Sequence, residues 1–93
     1  MPPDHKFAVR IVIQRLGSGR QVTWRVVGYG GNRAFGHSDF SSRADLLHAL
    51  HLAIPGLDSA TLSLDEARDG APSILFTGDM ELSYPQLAVL GLG

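Results

Sequence analysis

The sequence predicts an α+β domain, a mainly antiparallel five-stranded sheet with two helices packed on one face, in the order β-β-β-α-β-β-α. Three observations carry this. Residues 7–14 alternate with a period of two, and a second β-rich run follows a glycine-containing turn. Ser42 and Ser83 each stand at the head of a leucine-bearing segment with helical spacing. The 93 residues are 44% hydrophobic and 18% charged, enough apolar material for one core and too much for wholesale disorder.

Phe7, Val9, Ile11 and Ile13 share one face of the first strand, and Ala8, Arg10, Val12 and Gln14 share the other. Gly17-Ser18-Gly19-Arg20 signals a turn, and Gln21 to Tyr29 forms a second strand rich in β-branched and aromatic residues. A two-residue turn at Ser18-Gly19 pairs residues whose numbers sum to 37. Ile13 then faces Trp24, Ile11 faces Val26 and Val9 faces Gly28. On the other side Gln14 meets Thr23, Val12 meets Arg25 and Arg10 meets Val27. A slip of one residue would mismatch both faces. Gly30-Gly31-Asn32 turns the chain into a weaker strand over 33–38, where Gly36 suits a bulge.

Ser42 caps the first helix, with Asp45 three residues on as a short-armed capping box. The helix runs to about Ala53 and stops before Pro55-Gly56, burying Leu46, Leu47, Leu50, Ala53 and Ile54. Thr61-Leu62-Ser63-Leu64 alternates as a strand, and 65–72 is a polar loop. Ser73 to Thr77 is a further strand, able to continue past Gly78 to Leu82. Ser83 followed by Tyr84-Pro85-Gln86 is a second capping signature with proline in the first turn. Leu87 and Leu90 of that helix point inward, and Gly91 closes it.

The chain reads as a single domain over 1–93, with residues 1–5 a flexible N-terminus. A domain this small buries only about two-thirds of its unfolded surface, so its stability is modest unless it associates. The absence of cysteine excludes a disulfide scaffold, a thiol nucleophile and a thiolate zinc site. No apolar run reaches the about 18 residues of a membrane span, so no membrane contact is expected. Met1 to Lys6 is polar and proline-broken, unlike a signal peptide, and the expected compartment is the cytoplasm.

Trp24-Arg25, the Gly30-Gly31-Asn32 turn and Phe40-Ser41-Ser42-Arg43-Ala44 together resemble the bacterial YegP-like family, the domain of unknown function 1508. The resemblance spans residues 22–45. It implies a β-β-β-α unit. The family brings no established activity, so no catalytic residue is carried over, and residues 56–93 do not repeat the pattern.

The net charge of −1 hides a division. Residues 1–43 hold seven basic and two acidic residues, a balance of +5, while 44–93 hold one basic and seven acidic, a balance of −6. Such asymmetry suits a nucleic-acid face or a head-to-tail partner, but two halves that neutralise each other within one fold explain it more simply.

Several groupings suggest chemistry, and each has a plainer account. His48 and His51 lie three apart on the helix with Asp45 three before them, on the side away from the leucines. Such a set can hold a transition metal, but a solvated helix face or a subunit contact accounts for it. His37 and Asp39 beside Ser38 or Ser41 invite a base–nucleophile reading; a helix cap explains Ser41 and Ser42 more simply, and no nucleophile elbow is present. Gly28, Gly30 and Gly31 fall between strands, not before a helix, so they are turn glycines and no phosphate loop. Asp79 and Glu81 share a face of the last strand, where carboxylates more often protect an edge than exchange protons. No metal, no cofactor and no catalytic residue is expected, and the chain does not read as an enzyme.

Arg10, Val12, Arg25, Val27 and Tyr29 remain. They lie on the face of the first hairpin opposite Ile11 and Trp24, which is bare if both helices pack on the other side. Arginine beside an aromatic can grip phosphates and stack on bases. It is also enriched at protein interfaces, and exposed valines beside it favour a surface that becomes covered. The expectation is a non-enzymatic protein-interaction or assembly module, homodimeric, that binds through this face, the basic half of one copy meeting the acidic half of another. The alternative is a nucleic-acid-binding accessory domain that uses the arginine-bearing hairpin.

Overall fold

The computed structural model describes residues 5–18, 20–57 and 74–92. Its elements are β1 (Lys6–Ser18), β2 (Gln21–Gly30), β3 (Arg33–Phe40), α1 (Arg43–Ala53), β4 (Ile74–Ser83) and α2 (Tyr84–Val89). The strands form one antiparallel sheet in the order β3-β2-β1-β4. Both helices pack against the same face of it, α1 through Leu46 and Leu50 and α2 through Leu87.

Among the described residues the sheet has four strands where five were expected, and the element order is β-β-β-α-β-α. Ile74 to Ser83 is one continuous strand that pairs with β1 from Lys6↔Ser83 to Gln14↔Ile74. A strand has only two hydrogen-bonding edges. Those of β1 are filled by β2 and β4, so nothing further can join beside it. The strand expected at Thr61–Leu64, the loop expected at 65–72 and the residues Met1–Asp4 lie outside the described residues.

The first hairpin forms as expected, but its register is shifted by two. Ser18 stands opposite Gln21, and paired numbers sum to 39. Ile13 now faces Val26 and Ile11 faces Gly28; on the other side Arg10 meets Tyr29, Val12 meets Val27 and Gln14 meets Arg25. The cause is Gly17. It sits at φ +90°, and a β-carbon there would fall on the Gln21 carbonyl. Glycine alone accepts this conformation freely, so the strand runs on through it and the chain reverses one residue later. A shift of two leaves every side chain on its expected face.

β3 extends to Phe40, and its bulge falls at Phe35. Gly28 pairs with Gly36 but Tyr29 pairs with Ala34, which leaves Phe35 without a partner position. Its ring lies over Gly28, where a β-carbon would come within 2.7 Å of it.

The helices start where their caps predict. Ser42 accepts the Asp45 N–H at 3.1 Å, and α1 ends at Ala53. Leu46, Ala49, Leu50 and Ala53 are buried, with Leu47 and Ile54 packed partly beneath them. Ser83 and Gln86 form the reciprocal capping box of α2. The Gln86 amide also donates to the Ala53 carbonyl at 2.9 Å, tying the start of α2 to the end of α1. Gly91 at φ +78° closes α2: its N–H bonds to Ala88 and that of Leu92 to Leu87, the paired bonds of a Schellman motif. The core beneath is Ile11, Ile13, Val26, Leu46, Leu50, Leu82 and Leu90, all sealed from solvent. Each such burial contributes about 1.5–3 kcal/mol before chain entropy is counted.

Candidate protein-interaction face

Strand alternation puts Arg10, Val12, Arg25, Val27 and Tyr29 together on the face away from the helices. All five expected residues share it. Among the described residues no element covers this side of the sheet. β3 adds His37 and Asp39 to it, and β4 adds Thr77, Asp79 and Glu81.

The corrected register orders these side chains into rows. Val27 and Val12 form the centre, with His37 beyond one and Thr77 beyond the other. In the row on one side, Arg25 stands between Asp39 and Gln14. In the row on the other side, Arg10 stands between Tyr29 and Asp79. A half-turn about the sheet normal through the Val12–Val27 pair carries Arg10 onto Arg25 and Asp79 onto Asp39. The open face thus has an approximate two-fold symmetry of its own, two valines at the hub and an Arg–Asp pair on either side.

Both ion pairs are formed. Arg25 donates to the two carboxylate oxygens of Asp39, from Nε at 2.7 Å and from Nη2 at 3.1 Å. Arg10 Nε donates to Asp79 at 2.9 Å. The forked pair is also the less exposed: its side chains are 35% and 42% accessible, against 53% and 75% for Arg10 and Asp79. Hydrogen bonding to Arg25 holds the Asp39 carboxyl below the usual carboxylate range, and the charge of nearby His37 acts the same way. The bonds to Asp39 and Asp79 raise the guanidiniums of Arg25 and Arg10 in turn.

One expectation about this face is corrected. Val12 and Val27 are only 7% and 8% accessible, so they are not an exposed apolar patch. Each is flanked two residues away by long side chains, Arg10 and Gln14 on β1, Arg25 and Tyr29 on β2. Their stems cover the valines while their polar ends stay in water. The surface is therefore a polar ring over an apolar hub.

The aspartates were missed as partners. The signal was present: in the true register Arg25 lies opposite Asp39 and Arg10 opposite Asp79, and directly opposed charges attract. The expected register covered β1 and β2 alone, whereas these pairs are set by how β3 joins β2 and β4 joins β1. The other groupings fall apart. Asp39 bonds to Arg25 and Asp79 to Arg10, so neither stands ready as a base. His48, His51 and Asp45 are exposed on α1, and among the described residues no group of three or more potential ligands could hold a metal ion. Ser42 is engaged as a cap. Arg10–Asp79 joins the basic and acidic halves within a single copy.

The chain matches no family model, no curated protein and no solved structure.

Proposed function

We propose that the chain is a small non-enzymatic interaction and assembly module that binds a protein partner through the open face of its sheet. The observation that supports this most is that both arginines of that face are already paired. Its two arginines hold its two nearest aspartates. A nucleic-acid surface draws its affinity from cations that displace counterions along the phosphates. Arginines already committed to carboxylates serve that purpose poorly, and a polar ring around an apolar hub suits a protein surface. The β-β-β-α order over 6–53 is the one that the resemblance to the YegP-like family implies. No described helix is long and apolar enough to cross a membrane, and the cytoplasm is the compartment that fits this reading.

The chain has no cysteine, so a single one can report on each face. Thr77→Cys places a thiol on the open face and His48→Cys one on α1, both at exposed positions. Maleimide labelling is compared between a concentrated extract of the producing cells and the dilute purified protein. The open-face thiol should react several-fold more slowly in the extract and the helix thiol equally in both. Equal rates at both positions would overturn the reading. Binding to a labelled oligonucleotide that rising salt abolishes would replace it with the nucleic-acid alternative.

A further inference from the structure

The geometry points to a second copy of this chain as the occupant of the open face, docked sheet to sheet about a two-fold axis lying in the plane of contact. This rests on the reading of that face as an interaction surface and names what covers it.

The charge pattern supplies the reason. An isologous contact sets each residue against one related to it by the in-plane axis. If the axis runs along the strands, Arg10 meets the other copy's Tyr29, Arg25 meets its Gln14, and Val12 meets its Val27. If it runs across them, Arg25 meets Tyr29, Arg10 meets Gln14, and each valine meets its own counterpart. In both arrangements Asp39 and Asp79 fall over Ala34 or Ile74, the residues at the matching ends of the rows. Arginine never opposes arginine and aspartate never opposes aspartate. This follows from the two-fold arrangement of the face itself; His37 distinguishes the two orientations, meeting the other copy's Thr77 when the axis runs along the strands and its own counterpart when it runs across them. A guanidinium laid on a tyrosine ring adds a cation–π contact.

The size of the face bounds the interface. Four strands about 4.8 Å apart and about seven residues of about 3.3 Å rise give roughly 450 Å² per copy, short of the about 800 Å² of a standard interface. A face this small suits a weak dimer, with a dissociation constant of roughly 10–500 μM.

Sedimentation velocity on the purified chain, from about 10 μM to about 1 mM, tests this across the range expected for so small an interface. Dimer should grow with concentration. Val27→Asp should abolish it, and Tyr29→Glu, at a half-buried surface position, should weaken it at least tenfold while far-ultraviolet circular dichroism stays unchanged. The second variant keeps the test valid if the first does not fold. A dimer that Tyr29→Glu leaves intact would place the contact elsewhere and overturn the proposal. So would a monomer throughout. In that last case, an open-face thiol still protected in extract would leave the interaction reading standing with a different protein as partner, and an unprotected one would remove both.

Discussion

Arg25 and Asp39 face each other across β2 and β3 and share two hydrogen bonds, 2.7 and 3.1 Å long, from adjacent guanidinium nitrogens to the two carboxylate oxygens. This fork fixes both side chains in a plane over the open face, which a single bond between flexible chains does not do.

The fork makes a small part of the stability depend on pH. Asp39 has its folded carboxyl pKa lowered by Arg25. Its contribution is therefore fully present above the unfolded carboxylate pKa of about 3.9 and is lost as pH falls through the folded value. Asp39→Asn should lower the urea midpoint modestly at neutral pH, and the gap to the parent protein should close as pH drops below about 4. A gap unchanged down to about pH 2 would show that the pair adds nothing through ionisation.

Gln86 is the joint between the helices. Its Oε1 accepts the Ser83 N–H at 2.8 Å and its Nε2 donates to the Ala53 carbonyl at 2.9 Å. A six-residue helix such as α2 is not stable alone. Gln86→Ala should cost about 1–2 kcal/mol in denaturant titration. Gln86→Glu keeps the acceptor and loses the donor, setting a carboxylate against the Ala53 carbonyl. It should be destabilised at neutral pH and recover as acid restores a proton to the introduced carboxyl, whose folded pKa is raised. The same pH profile as Gln86→Ala would contradict the role given to the amide donor.

Two glycines should respond differently to alanine. Gly91 has φ +78°, and a β-carbon there would lie 2.6 Å from the Ser38 hydroxyl. Gly91→Ala should cost about 1–2 kcal/mol. At Gly28 the obstacle is the tip of the Phe35 ring, and Phe35 is 45% exposed and free to swing outward. Gly28→Ala should cost less than about 1 kcal/mol and be visible mainly as a changed environment for Phe35. Equal losses at both sites would contradict the difference in φ and in the yielding of the neighbour.

Much of this was legible in the chain. Period-two alternation fixed which residues of β1 and β2 look toward the helices, and the serines at 42 and 83 fixed where α1 and α2 begin. Those signals are local. The register was not legible, because a slip of two residues preserves every face and only turn geometry separates the choices. Gly17 decided it, through a positive φ that sequence does not announce. The expected exposure of Val12 and Val27 failed for a related reason: shielding by Arg10, Gln14, Arg25 and Tyr29 depends on who stands beside whom. The five residues of the face were found together. Their arrangement into two ion pairs around a hub required the pairing of β3 with β2 and of β4 with β1, long-range contacts that no local signal sets.

A dilution series of amide proton–nitrogen spectra on the labelled chain reads the occupied surface residue by residue. Concentration-dependent shifts confined to Arg10, Val12, Arg25, Val27, Tyr29 and their neighbours on β3 and β4, with α1 and α2 unmoved, are the predicted result. Shifts centred on the helices, or spectra that do not change from about 10 μM to about 1 mM, would contradict association through the open face.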